Sequence, residues 1–383
     1  MAPSCAYFDR GECRSCSLLA LPARERSASK LSRFTRDARA ALGDVPISAL
    51  WEPPRAFGSR TKAKLAVSGS MRNAVIGLPD GASGESASLL DCPLHAPRLN
   101  EVLRFVKGAI TEFKLAPYHV ERRQGELKGI ILKCNEDASQ VLARFVLRSP
   151  EALPRVRRAA RALVERLPFV RVVSANIQPL PAALLEGGDE IVLTEERFLW
   201  ERYGDVLLAF QPQSFSQVTH ATAEALYRHV AGVLSGSGAR SLLDLFCGVG
   251  GFSLTAAGGM EWGLGVELSE NAIECARLGA AENGATQLAF ESGDVEAFLA
   301  RYSGKKPDAV VVNPPRRGLS PAIVEGIKAL RPGLIAYSSC NPETLLRDLR
   351  LFAPAYRVAS LAPFDMFPLT EHLEAVATLA RTV

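Results

Sequence analysis

No stretch of this 383-residue chain holds the 18 or so uninterrupted apolar residues that a membrane-spanning helix requires. The opening residues, MAPSCAYFDRGECRSC, lack the basic-then-apolar order of a secretory leader, so a cytoplasmic protein is expected. Nothing repeats at a period of 20 to 50 residues and no tract is of low complexity, which excludes solenoids and biased linkers. Extremes of composition are absent as well. Hydrophobic residues make up 48% and charged residues 22%, an ordinary balance for a folded chain long enough to bury two cores. The eight cysteines are not a disulfide framework, because cytoplasmic thiols stay reduced. They are core residues, metal ligands or catalysts, and position has to sort them.

The net charge of +4 is unevenly spread. Residues 1–200 carry 30 Lys+Arg against 22 Asp+Glu, leaving 15 against 19 for the rest. The basic half has clusters at Arg33, Arg36 and Arg39; Arg60, Lys62 and Lys64; Arg122, Arg123 and Lys128; and Arg155, Arg157, Arg158 and Arg161. A polyanion partner would use such clusters for sequence-independent affinity, although each could equally be a solvated helix face.

From about residue 240 short apolar runs alternate with helical patterns. SLLDLF (241–246), WGLGVE (262–267), QLAFES, DAVVVN (308–313) and GLIAYSS (333–339) read as strands, with a helix capped by Ser269 and ended by Gly284. This alternation predicts a parallel, doubly wound α/β sheet. The first 200 residues alternate less regularly. KAKLAVSGS with AVIGLP, and LKGIILKC with VLARFVLR, read as paired strands, and 97–113 and 151–167 as helices, giving a smaller α+β domain.

LDLFCGVGGF sets Gly248, Gly250 and Gly251 between a strand and a helix, where backbone can approach a ligand and free N–H groups point at it. The spacing is not that of dinucleotide sites, and the next strand ends in Glu267, placed to take both hydroxyls of a ribose. An adenosine cofactor without a pyrophosphate fits, which means S-adenosylmethionine. In NPPRRG (313–318) a rigid Asn-Pro-Pro holds Asn313 at the carboxyl edge of the sheet; Arg316 follows where an aromatic would stack a base for exocyclic-nitrogen chemistry.

LIAYSSCNPETL (334–345) ends the next strand in Cys340, in a polar turn at a helix start, where the dipole favours a thiolate. Cys134, Cys247 and Cys275 read as structural. A methyltransferase needs a cysteine nucleophile when the accepting carbon is not itself nucleophilic, as at C5 of uracil. Thiolate addition at C6 makes C5 an enolate carbon that can take the methyl group. A base must then remove the C5 proton, and FPLTEHLEAVATLA supplies Glu371, His372 and Glu374 before a final strand. In the N-terminal part Cys5, Cys13, Cys16 and Cys92 make a quartet able to hold zinc or an iron–sulfur cluster; spacing does not choose between them.

SSCNPETL, FDMFPLTEHLE, LDLFCGVGGF and VNPPRRG resemble the RNA uracil-C5 methyltransferase family, densely over 205–383. The resemblance implies a Rossmann-like class I methyltransferase domain, Cys340 as nucleophile and Glu374 as proton-abstracting base. It also implies S-adenosylmethionine contacts from Gln217, Phe246, Glu267 and Asn313. CAYFDRGECRSC, KAKLAVSGS, ARFVLRS and NIQPLPAALLEG extend the likeness to the branch that modifies uracil 747 of 23S ribosomal RNA, whose members carry a 4Fe–4S cluster on such a quartet. Since Cys5 stands almost first, no extra N-terminal β-barrel is expected. Thr219 and Thr61 depart from the branch, which usually shows Asn there, in what read as ligand-facing loops. The expected organisation is an iron–sulfur, RNA-presenting segment (1–92), a central α+β domain continuous with it (93–204) and the methyltransferase domain (205–383), working as a monomer. The alternatives are a different ribosomal or transfer-RNA uridine, amino-group methylation, which needs no thiol, and a non-catalytic RNA-binding protein.

Overall fold

The computed structural model describes residues 4–79, 86–181 and 186–382. A short helix α1 (Ala6–Asp9) and a long α2 (Ala23–Leu42) precede a seven-stranded sheet. That sheet runs β1 (Lys62–Gly69), β2 (Ala74–Pro79), β3 (Ser86–Ser88), β4 (Leu127–Cys134), β5 (Val141–Leu147), β6 (Val170–Ile177) and β7 (Asp189–Val192), in the order β3-β2-β1-β4-β5-β6-β7. Helices α3 (Pro97–Glu112) and α4 (Leu153–Arg166) cover one face, burying Leu99, Leu103, Val156 and Leu163 against Leu65, Ile130 and Phe145. Both expected strand pairs form as antiparallel ladders. Strands β1–β3 share one sheet with β4–β7, so the strands on either side of α3 build a single structural layer.

A hairpin, β8 (Leu199–Tyr203) and β9 (Val206–Phe210), leads through α5 (His220–Gly236) into the second large sheet. Its elements are β10 (Ser241–Leu245), α6 (Gly251–Ala256), β11 (Trp262–Glu267), α7 (Glu270–Glu282), β12 (Leu288–Ser292), α8 (Val295–Arg301), β13 (Ala309–Val312), α9 (Pro321–Leu330), β14 (Leu334–Ser339), α10 (Pro342–Leu349), β15 (Tyr356–Phe364) and β16 (Glu374–Arg381). The order is β12-β11-β10-β13-β14-β16-β15, parallel through β14 and antiparallel for the last two strands. Strands β10, β13 and β14 are buried along their whole length, as a parallel sheet covered on both faces requires. Ser269 caps α7 by accepting from Ala272 N, and Gly284 follows its end at φ 64°.

Helix α2 lies far from its sequence neighbours. Phe34 and Ala38 pack into the core of the second sheet with Leu345, Leu349 and Leu373, and Lys30 is buried on the same side. Lys30 Nζ donates to Asp365 Oδ1 (2.6 Å) and to the carbonyls of Phe367 (2.8 Å) and His372 (3.3 Å), while Arg33 donates to the carboxylate and carbonyl of Glu371. The arginines that read as a polyanion-binding cluster are thus divided: Arg33 clasps the 365–373 segment and Arg36 pairs with Asp37. Among the described residues no helix is long and apolar enough to cross a membrane.

A buried pair loses more when one partner goes than when both go, because a lone charge is left in a dry place. Lys30→Met is therefore expected to lower stability to urea by about 3–5 kcal/mol. Lys30→Met combined with Asp365→Leu should recover much of that loss; a strictly additive double variant would mean the two residues are not coupled.

Candidate active site

The glycine turn after β10 is built from left-handed backbone. Phe246, Gly248 and Gly250 sit at φ 62°, 55° and 84°. At Gly251 a Cβ would come within 2.6 Å of the Tyr227 ring, so no side chain fits where α6 starts. A phenylalanine held at positive φ is costly, and such residues persist where a site needs them. Glu267, at the end of β11, accepts from Gly248 N (3.3 Å) and Ser269 N (3.0 Å), so its carboxylate ties the turn to the next helix. Asn313 follows β13 and its backbone N–H donates to Leu245 O (3.3 Å), beside the turn. Phe246 lines a cavity of about 520 Å³ with Asp294, Ala297, Pro315, Arg317 and Ile323, a volume suited to a nucleoside-sized ligand. Glu267 and Asn313 do not line this cavity, and Gln217 is buried in the segment leading into α5. Asp294, the side-chain cap of α8, also faces the cavity. Sequence reasoning passed over it because an Asp before a helix reads as a cap alone.

Cys340 and Glu374 meet across strands. The β14–β16 register pairs Ser339 with Ala375, so the next rung sets Cys340 opposite Glu374, and residues directly opposite share a face. Glu374 is 1% exposed; its Oε1 accepts from Ser338 Oγ (2.7 Å), while Oε2 is cut off from solvent with no partner among the described residues. Burial pushes the Glu374 carboxyl up to about 7, against the pull of the Ser338 hydroxyl. A base poised near neutrality with one free oxygen is suited to taking a proton.

The Cys340 thiol has a mixed setting. Its helix, α10, is capped by Asn341, whose side chain accepts from Glu343 N (3.2 Å), so Cys340 stands outside the helix end. Burial first, then the Glu374 carboxylate, raises the Cys340 thiol, and the Arg316 charge opposes both. Among the charged groups around the thiol, Arg316 is the one that favours a thiolate. Arg316 is held where it can act: its carbonyl accepts from Asn341 Nδ2 (3.0 Å) and Thr344 Oγ1 (3.2 Å). Tyr337 OH and Leu319 N both donate to Asp348 Oδ2 (2.7 Å each), fastening the NPPRRG turn to α10.

Phe215, two residues before Gln217, is 68% exposed, and Lys62 Nζ lies 6.0 Å from its ring centre. An exposed aromatic beside a lysine suits an unstacked base. Thr61 and Thr219 hold neighbouring backbone. Both are buried, Thr61 Oγ1 donating to Val218 O (3.4 Å) and Thr219 Oγ1 to Met366 O (2.9 Å). Cys134, Cys247 and Cys275 are buried, with burial pushing their thiols up, Cys275 to about 11 and Cys134 to about 12.

At the N-terminal end, Cys5, Cys13, Cys16 and Cys92 border one small cavity with Tyr7, Phe8, Phe57 and Leu94. Burial and the neighbouring thiols push Cys16 up to about 12, and burial raises Cys92. Among the described residues no three His, Cys, Asp or Glu side chains are grouped closely enough for a single metal ion. Of the NIQPLPAALLEG stretch, residues 182–185 lie outside the described residues.

The mixed sheet, its glycine turn and the thiol–carboxylate edge define a class I S-adenosylmethionine-dependent methyltransferase, as the structural comparison bears out. Residues 204–382 match the family model described as tRNA (Uracil-5-)-methyltransferase. The chain is 38% identical over 381 residues (99% of this chain, 98% of the other) to the 23S rRNA (uracil(747)-C(5))-methyltransferase RlmC of Shewanella amazonensis. It is 39% identical over 379 residues (98% and 99%) to the protein of that name from Escherichia coli O139:H28. The crystal structure of Pyrococcus abyssi tRNA (uracil-54, C5)-methyltransferase with S-adenosyl-L-homocysteine superposes with a TM-score of 0.77 at 26% identity, covering 96% of this chain and 86% of that one. The chain belongs to the RNA uracil-C5 methyltransferase family.

Ser338 favours the charged form of Glu374, and a hydrogen bond to a charged group contributes about 1.5–3 kcal/mol. Activity is expected to rise with pH through about 7 as Glu374 ionises, since the base works deprotonated. Ser338→Ala removes a lowering influence, so it should move this limb to higher pH by about one unit or more. A single-turnover pH profile unchanged by the substitution would remove Glu374 from the rate-determining proton transfer.

Proposed function

We propose that the protein methylates C5 of a uridine in 23S ribosomal RNA, the one equivalent to uracil 747, through a transient Cys340–C6 bond. The observation that carries this reading is the cross-strand placement of Cys340 beside a buried carboxylate with one unpartnered oxygen. Gln217, Phe246, Glu267 and Asn313 are assigned to hold S-adenosylmethionine, which supplies an electrophilic methyl group. Cys340 adds to C6 as the thiolate, its charge passing to the ring and making C5 nucleophilic. Once C5 carries the methyl group, Glu374 Oε2 takes the C5 proton, the C6–S bond breaks, and the thiolate returns. Arg316 stabilises the thiolate before addition and again at release.

RNA is assigned to the side of the first sheet facing the 211–217 segment, where Lys62, Lys64 and exposed Phe215 cluster. We assign residues 1–92 and 93–204 to RNA presentation and 205–383 to methyl transfer, in a cytoplasmic monomer. The quartet Cys5, Cys13, Cys16 and Cys92 is assigned a 4Fe–4S cluster. Four thiols bordering one cavity are the donor set such a cluster takes. Such a cluster braces the fold and has no electron to deliver in this reaction.

Substitution separates the two catalytic roles. Cys340→Ala should abolish methyl transfer and the covalent adduct formed with 5-fluorouridine-containing RNA. Glu374→Gln should still form a covalent RNA–protein complex but release it about 10²–10⁴-fold more slowly. Mass spectrometry of 23S ribosomal RNA from cells lacking the gene should lose one 5-methyluridine; loss from transfer RNA instead would redirect the substrate. Failure of native protein and fluorinated RNA to crosslink would overturn the covalent route.

A further inference from the structure

Arg60 sits between the chain after Cys92 and the 366–370 segment that leads to Glu374. Its segment is laced to the chain after Cys92: Gly58 N donates to Pro93 O (2.8 Å), Arg60 N to Leu94 O (2.9 Å) and Ala96 N to Arg60 O (3.0 Å). On its other side Thr61 N donates to Val218 O (2.9 Å) and Arg60 bridges Thr219, whose hydroxyl donates to Met366 O (2.9 Å). Arg60 lines a small cavity with Leu94, Thr219, Met366, Phe367 and Thr370, and no carboxylate borders it. Arg60 Nε is cut off from solvent and has no hydrogen-bond partner among the described residues. The ionisable groups acting on it are Cys92 and Cys16, and Leu94 walls the cysteine cavity as well.

A guanidinium cannot shed its proton to escape burial, so it needs an anion. A 4Fe–4S core held by four thiolates is a net anion, and N–H groups aimed at its sulfurs are among the levers that set its stability and potential. We propose that Arg60 is a positioning residue whose guanidinium is counter-ion and donor to the cluster sulfurs on the Cys16 and Cys92 side, and that it thereby holds the 366–370 segment ahead of Glu374. Loading the cluster and setting the base-bearing loop are then one event. Leu18 N, two residues after Cys16, donates to Leu369 O (3.0 Å) and gives the quartet a second hold on the same segment. This rests on the reading that the quartet binds an iron–sulfur cluster.

The test uses the full chain purified without oxygen, as native protein, Arg60→Gln and Arg60→Lys. Iron and acid-labile sulfide per chain, bleaching of the visible absorbance under a chelator, midpoint potential and amide hydrogen exchange over 366–373 are measured on each. Arg60→Gln should bleach roughly tenfold faster, because the donor and counter-charge beside the sulfurs is gone. Its midpoint potential should move negative, and exchange over 366–373 should rise. Arg60→Lys keeps the charge without the planar fork and should fall between. If Arg60→Gln fails to fold, native-like bleaching and potential in Arg60→Lys overturn the proposal. Native iron content, bleaching and potential in Arg60→Gln overturn the role of Arg60 while leaving the cluster in place. Native protein free of iron and sulfide overturns the cluster reading and this proposal with it.

Discussion

The reversal of direction at β16 is the constraint on which the site depends. Strands β10 to β14 all run one way, so their carboxyl ends share one edge, and Cys340 stands at the end of β14. A base reaching that edge from another parallel strand would need one more crossover. Here the chain runs up β15, turns through 365–373 and comes back antiparallel, so that the first residue of β16, Glu374, starts at the same edge. The register is unforgiving. A slip of one residue would turn the carboxylate to the opposite face. Two things hold it: β14, β16 and the inner part of β15 are buried on both faces, and Lys30 fixes the turn at three oxygen atoms. The long helix near the N-terminus therefore serves the chemistry at the C-terminus.

The same dryness that locks the register sets the chemistry. A carboxyl without water around it holds its proton to about neutral pH, which makes it a stronger base than an exposed glutamate. The cost falls on the thiol, raised by the same burial and by the carboxylate beside it. Arg316 offsets part of that cost, and its place depends on Asn341 and Thr344 gripping its carbonyl. The Pro-rich turn and the Asn-Pro turn are thus two halves of one support, each rigid where the other is hydrogen-bonded to it.

Most of this edge was legible because its signals are local. A glycine turn after an apolar strand, an acid at the end of the next strand and a cysteine in a proline turn each declare themselves within a few residues. The four N-terminal cysteines were legible as a set, and they do border one cavity. What stayed hidden depends on partners distant in sequence. Helix α2 reads as a charged, exposed stretch because its inward face carries Arg26 and Lys30, and the acceptors that justify burying Lys30 lie more than 330 positions away. The Arg316 charge beside Cys340 was hidden, because it comes beside the thiol only once β13 and β14 pair. The hydrogen bonds that tie Thr61 to 218 and Thr219 to 366 were equally hidden, since each joins loops distant in sequence.

The arrangement of two acids side by side also has a consequence for the order of events. While Cys340 is a thiolate, it and an ionised Glu374 repel each other in a poorly screened space, so the pair resists carrying two negative charges. On the proposed route, addition to the pyrimidine would convert the thiolate into a thioether and move its charge onto the ring. Methyl transfer would then discharge the ring, since C5 gives its electron pair to a cationic donor. The thiolate charge would by then be gone, leaving Glu374 Oε2, buried and without a partner among the described residues, free to accept a proton. Release reverses the balance: as Glu374 takes the proton it becomes neutral, and a neutral neighbour with Arg316 close by is the setting in which a departing thiolate is least disfavoured. The repulsion that hinders the resting thiol is thus relieved at the step where the base must act.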